Sequence, residues 1–106
     1  MNTNSFMVRP RRTRNIFFQP DVTYFKPAGI PMVNLKETVL GFDEIEAMRL
    51  VDSEEMEQSA AGKKMKISQS TLSRLLKAGR KKLADAIING RAIKIQGGNF
   101  KLIGLK

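Results

Sequence analysis

Lys63, Lys64, Lys66, Arg74, Lys77, Arg80, Lys81 and Lys82 give the stretch from Lys63 to Ala84 eight basic residues and not one acid. The apolar residues of that stretch recur at helical spacing behind Ile67-Ser68, so the cations belong to a helix suited to lie on phosphates. The preceding stretch is the opposite. Phe42 to Glu57 holds seven of the chain's ten acids, with only Arg49 against them. Such asymmetry within one small domain points to oriented binding of a polyanion rather than to general solubility.

The chain that must position these groups has 106 residues, enough for one domain with a modest core. A formal net charge of +9 and an isoelectric point near 10.3 favour nucleic acid or an anionic surface as partner, although small basic proteins sometimes bind only acidic proteins. The chain has no histidine and no cysteine. Disulfides and thiolate metal sites are therefore excluded, a reducing compartment fits, and a cytoplasmic location is expected. Without a Gly-rich phosphate loop or metal-ligand spacing, no enzymatic activity, metal, cofactor or small-molecule ligand is expected. The N-terminus has no basic start followed by an apolar core, and no apolar run approaches the roughly 20 residues that span a bilayer. A soluble protein with no membrane partner is expected. The basic helix's apolar stripe lacks Trp and Phe and is needed for the core, which argues against its lying on a membrane.

Three segments organise the chain. Through Pro31, the prolines at 10, 20, 27 and 31 forbid a long helix, and Ile16-Phe17-Phe18 and Val22-Thr23-Tyr24-Phe25 read as short strands. From about Phe42 to Asn89 the pattern is helical, with a first helix from near Gly41–Asp43 to about Ser53. Its acids Asp43, Glu44 and Glu46 complement the helix dipole on what reads as a solvated face. A short second helix runs roughly from Gln58 to Met65, and a third from Gln69 to Asn89, stopped by Gly90. Leu72, Leu75, Leu76, Gly79, Leu83, Ala86 and Ile87 form the third helix's buried stripe, which leaves Ser70, Ser73, Arg74, Lys77 and Lys81 on its open face. The last segment, from Arg91 to Ile103, reads as two strands around a Gly97-Gly98 turn.

The expected fold is thus mainly α: a three-helix, helix-turn-helix core with short β-strands from the N- and C-terminal segments. The helix-turn-helix spans about residues 58–89 within a single domain over 16–106, preceded by a basic flexible arm over 1–15. Gly62 supplies the small residue where the second helix crosses closely, Met65 and Ile67 flank the turn, and Leu72 and Leu75 pin the following helix. Ser68 is a favoured N-cap whose hydroxyl can accept from backbone amides near Ser70 and Thr71. One position departs from the pattern. Lys66 stands where glycine is usual, and a lysine at positive φ costs on the order of 1 kcal/mol. Either Lys66 bears that strain or the turn has another geometry.

Several blocks resemble domain-of-unknown-function family one hundred and thirty-four. They are Arg9-Pro10-Arg11-Arg12, the run from Tyr24 to Pro31, the helix from Asp43 to Leu50, and Ile95-Gln96-Gly97-Gly98-Asn99. The family comprises small prokaryotic proteins expected to bind DNA through a helix-turn-helix like that of sigma-factor region four. Some members carry N-terminal cysteines, and some continue into a second domain related to nitrogenase cofactor-binding proteins; this chain resembles the stand-alone form. The resemblance implies that the first turns of the recognition helix approach base edges, here through Gln69, Ser70, Ser73 and Arg74. Gln pairs with adenine and Arg with guanine in the bidentate geometry worth about 1–3 kcal/mol of discrimination. Lys77, Arg80, Lys81 and Lys82, farther along the helix, become phosphate contacts, and Lys63, Lys64 and Lys66 hold the flanking backbone.

The resulting expectation is a sequence-specific double-stranded DNA-binding protein acting as a transcriptional regulator. An RNA-binding module and a protein-interaction adaptor of the transcription machinery are the competing readings. Arg9, Arg11, Arg12 and Arg14 suit an arm that enters a minor groove or one that only adds nonspecific affinity, and spacing leaves both open. Phe17, Phe18, Tyr24 and Phe25 are expected in the core rather than stacked on unpaired RNA bases. Pairing of the N-terminal strands with Ala92–Ile95 would cover a sheet edge, and a homodimer presenting two recognition helices is the usual solution for a two-fold site.

Overall fold

The computed structural model describes residues 13–104; Arg9, Arg11 and Arg12 lie outside them. Three helices dominate. α1 (Phe42–Met48) continues into a π-helical turn over Arg49–Ser53, and α2 (Gln58–Met65) and α3 (Gln69–Asn89) follow. The strands are β1 (Arg14–Ile16), β2 (Tyr24–Phe25), β3 (Glu37–Leu40), β4 (Ala92–Ile95) and β5 (Phe100–Leu102), with one 3-10 turn at Met32–Asn34. The prolines keep the first segment free of long helices, as their fixed φ and missing N–H require.

Helix boundaries follow from local capping chemistry. Ser68 keeps an extended backbone, and its Oγ accepts from the Thr71 N–H at 3.1 Å, satisfying one of the first-turn donors of α3. Gly90 closes α3 at φ 62°, with the Arg91 N–H returning to the Ala86 carbonyl at 2.9 Å. Ile16, Ala47, Leu50, Ala61, Met65, Leu72 and Leu76 make the central cluster and are all but inaccessible. One residue from β1 thereby joins contributions from all three helices and the π turn. Each large side chain among them is worth about 1.5–3 kcal/mol of burial.

The two sheets are assembled from segments distant in sequence. β4 is central to the larger one, parallel to β3 from Glu37↔Ala92 to Leu40↔Ile95 and antiparallel to β2 through Tyr24↔Lys94 and Phe25↔Ile93. Leu40 and Ile95 are buried on the face that turns toward α3. β1 and β5 form the other sheet, parallel from Arg14↔Phe100 to Ile16↔Leu102. The expected hairpin about Gly97-Gly98 is therefore corrected: β4 and β5 belong to different sheets. Gly98, at φ 102°, lies under α1, where a Cβ would stand 2.5 Å from Asp43 Oδ1. The Gly97 carbonyl accepts from the Phe42 N–H at 2.9 Å, so the glycine pair docks the start of α1.

Other expectations are corrected too. The acids of α1 do not lie on a solvated face: Asp43, Glu44 and Glu46 are buried, Glu46 completely. Arg14 is no part of a free arm, because it opens β1 and its Nη1 donates to Asp43 Oδ2 at 3.1 Å. Phe18 and Phe25 stay about half exposed and Phe17 and Tyr24 only partly buried, since aliphatic side chains already fill the core. Ile87, assigned to the buried stripe, is 69% exposed. β3 was not foreseen at all.

Candidate nucleic-acid interface

The turn between α2 and α3 settles the geometry of Lys66. It adopts the left-handed conformation at φ 60° and ψ 45°, the strained alternative. The Lys66 N–H donates to the Lys63 carbonyl at 3.1 Å and the Ile67 N–H to the Gly62 carbonyl at 2.9 Å, a pair of bonds that ends α2 and reverses the chain. Gly62 is what lets the reversal pass so close. A Cβ there would lie 3.2 Å from the Ile67 carbonyl oxygen and 3.6 Å from that of Ser68. Three residues thus join the helices, and Met65 and Leu72 are fully buried on either side.

This turn aims the first turns of α3 into solvent. Gln69, Ser70, Ser73 and Arg74 are all exposed, as are Lys77, Arg80 and Lys81. Ser70, Arg74, Lys77 and Lys81 follow at i, i+4, i+7 and i+11, forming one row opposite the buried Leu72, Leu76 and Gly79. Arg74 is partly positioned: its Nη2 donates to Thr71 Oγ1 at 3.2 Å, and Ser68 Oγ donates to that same oxygen at 2.9 Å. Thr71 was missed in the sequence because its role depends on the cap beside it. Lys63, Lys64 and Lys66 are exposed around the turn, with Lys64 Nζ also 4.8 Å from the centre of the Phe17 ring. Among the described residues, Lys63, Lys66, Arg74 and Lys77 have no carboxylate partner.

Ion pairs remove other cations from that set. Lys82 Nζ donates to both carboxylate oxygens of buried Glu44, at 3.0 and 2.9 Å, and is only partly exposed. It fastens α3 to α1, so its charge is already engaged by a buried carboxylate. Arg80 makes a bidentate pair with Asp52, at 3.1 and 2.6 Å, and the pairing raises its already high pKa. Lys81 reaches Asp85 at 2.8 Å, and its hydrogen bond holds the Asp85 carboxyl below its ordinary range. Lys81 itself remains largely solvated, so this pair is weak.

The buried acids belong to the scaffold behind the exposed row of α3. Glu46 accepts the Phe17 N–H at 2.8 Å and the Arg49 guanidinium at 2.8 and 2.9 Å, and this raises the Arg49 pKa. Arg49 in turn lies 5.4 Å from the centre of the Phe18 ring. Glu44 also reaches back to the Gly41 N–H at 3.0 Å, capping α1. Of the acids between Phe42 and Glu57, those left on the surface are Asp52, Glu54, Glu55 and Glu57, just ahead of α2. Among the described residues no group of three or more His, Cys, Asp or Glu is placed to hold a metal ion, and no helix is long and apolar enough to cross a membrane.

The model of the family "Protein of unknown function DUF134" matches residues 4–103. The chain is 46% identical over 98 residues to a UPF0251 protein of Caldanaerobacter subterraneus subsp. tengcongensis, covering 92% of this chain and 83% of that one. It is 46% identical to a UPF0251 protein of Moorella thermoacetica, covering 94% and 67%, and 48% identical to one of Pelotomaculum thermopropionicum, covering 92% and 74%. No solved structure matches it. The chain belongs to the DUF134 family.

Proposed function

We propose that this DUF134 protein binds double-stranded DNA sequence-specifically and regulates transcription by occupancy. In this reading α2, the turn and α3 act as a sigma region-four-like helix-turn-helix, with α3 in the major groove. The observation that carries it is the solvent row of α3: side chains able to read bases at its N-terminal end, then unpaired Lys77 and the weakly paired, solvated Lys81, on a helix held from behind by core and ion pairs. A helix about 10–12 Å across fits a major groove about 12 Å wide. Gln69, Ser70, Ser73 and Arg74 would meet base edges. Lys77 and Lys81 would take phosphates as the helix leaves the groove, and Lys63, Lys64 and Lys66 the flanking backbone. The acids ahead of α2 disfavour a backbone contact at that helix's start, so affinity rests on the turn and α3. No catalytic step is assigned.

Selection of bound fragments from a random duplex library tests the reading directly. A consensus should emerge, Arg74→Ala should relax it at one position, and Lys77→Ala should weaken all duplexes alike. Equal, sequence-independent losses from both would make Arg74 a backbone contact. RNA binding is the second reading, favoured by one observation: Phe17 and Phe18 lie near the surface beside Lys64 and Arg49, as stacking platforms do. Tight binding of single-stranded RNA with no detectable duplex binding at low salt would select it instead.

A further inference from the structure

Arg74 is the one cation among Gln69, Ser70, Ser73 and Arg74. Its guanidinium leans back toward the start of α3, where Nη2 donates to Thr71 Oγ1 at 3.2 Å. Helical side chains tilt toward the N-terminus, and three residues span about 4.5 Å of axis, so the charge lies over the first turn rather than level with its own Cα. The helix dipole opposes that placement. A cation there meets the partial positive charge of the first amides, so Arg74 stays only while something holds it.

What holds it is a chain of hydroxyls whose protons can be counted. A hydroxyl has one proton to give and two lone pairs to receive with. Ser68 Oγ gives its proton to Thr71 Oγ1 at 2.9 Å and receives the Thr71 N–H at 3.1 Å. Its other lone pair faces Ser70 Oγ at 3.1 Å, and because the Ser68 proton is spent, Ser70 is the donor there. Thr71 Oγ1 receives from both Ser68 and Arg74, which fills its two lone pairs. The residue that caps α3 thus also aims the oxygen that holds Arg74. A guanidinium carries two donor forks, Nε with Nη2 and Nη1 with Nη2, which use different hydrogens of Nη2. The bond to Thr71 occupies one of those hydrogens and leaves the other fork complete.

We infer that Thr71 is a positioning residue for Arg74: its hydroxyl, aimed by Ser68, holds the guanidinium over the first turn of α3 with one bidentate fork free for guanine. This rests on the DNA-binding reading. Thr71 needs no contact with DNA in this role. A guanidinium free to swing would find a phosphate when the base is wrong, whereas one held in place gains only from the right base, so the hold acts on discrimination.

The test separates the hydroxyl of Thr71 from its methyl. Thr71→Val keeps the branched shape and loses the hydroxyl; Thr71→Ser does the opposite. Affinity would be measured for the selected duplex and for the same duplex changed at the position that Arg74→Ala relaxes. Thr71→Val should reduce the preference there about three- to tenfold, the worth of one hydrogen bond, while Thr71→Ser keeps most of it. Full preference in Thr71→Val, or equal losses in both variants, would overturn the inference. The free protein supplies a second readout, the NMR exchange between the two Nη groups of Arg74, which reports rotation about its Nε–Cζ bond. That rotation should be about threefold slower in the unsubstituted protein than in Thr71→Val. Equal rates would also overturn the inference. Slowed rotation in a protein that ignores duplex DNA would uphold the hold on Arg74 and reject the DNA-binding reading; a base preference that depends on Arg74 but not on Thr71 would do the reverse.

Discussion

Lys66 holds a backbone conformation that costs an L-residue about 1–2 kcal/mol and glycine almost nothing. Lys66→Gly should therefore raise stability, by about 0.5–1 kcal/mol after allowing for glycine's freedom in the unfolded chain, seen as a higher urea midpoint at constant m-value. Duplex affinity should fall at the same time and for every sequence, because a cation is lost from the turn. A protein destabilised by Lys66→Gly would show that the lysine's aliphatic stem contributes more packing than its strain costs. Gly62→Ala should act oppositely. Alanine favours a helix by about 1 kcal/mol, but its methyl would press at 3.2 Å on a backbone carbonyl that is itself tied into the turn, so a net loss of about 1–2 kcal/mol is expected in the same titration. Both residues could be singled out in the sequence because sterics at a tight reversal are local. Thr71 could not, since a threonine hydroxyl acquires its role only when the Ser68 cap and the Arg74 guanidinium meet around it.

The bounds of α2 and α3 were legible for the same reason, with caps and periodicity acting within a few residues of each boundary. The strands were less so. A strand of two to four residues carries little signal of its own, and β1, β3 and β5 are defined by neighbours far along the chain. Burial of the acids was hidden likewise, for their partners Arg14, Phe17, Lys82 and Asn99 lie 29 to 56 positions away. That arrangement has a testable consequence. Glu46→Ala would leave the Arg49 guanidinium and the Phe17 N–H without their acceptor, and a loss of about 3 kcal/mol or more is expected by denaturant unfolding. A loss under 1 kcal/mol would mean that water replaces the carboxylate. Asp85 offers a contrast at the surface. Its pKa is lowered chiefly by the Lys81 hydrogen bond, so its contribution is present above the ordinary carboxylate range and disappears as pH falls through the lowered folded value. Asp85→Asn should therefore melt below the unsubstituted protein at neutral pH and converge with it in acid. A gap that persists or widens in acid would exclude this linkage.

Net charge overstates what the molecule can offer a polyanion. Of the cations on the described residues, Arg14, Arg49, Arg80 and Lys82 are engaged by Asp43, Glu46, Asp52 and Glu44, and they brace the fold. Around the turn and on α3, Lys63, Lys66, Arg74 and Lys77 have no carboxylate partner, with Lys64 and Lys81 only lightly held. Since each neutralised phosphate on duplex DNA contributes about −0.9 to the slope of log K against log salt, this face predicts a slope of about −4 to −5 per copy. Arg9, Arg11 and Arg12 could add at most about −3 more, so removing residues 1–12 measures whether the N-terminal arginines touch phosphate at all. Lys77→Gln should reduce the slope by about one and leave the melting temperature unchanged. Lys82→Gln should leave the slope unchanged but lower the melting temperature, because its charge is committed to buried Glu44. Reversal of that pattern would place Lys82 on the DNA and relocate the interface to the flank of α3 that packs on α1. Fluorescence anisotropy across a salt series, paired with thermal melts of the same two variants, separates a cation that holds the helix in place from one that holds the phosphate.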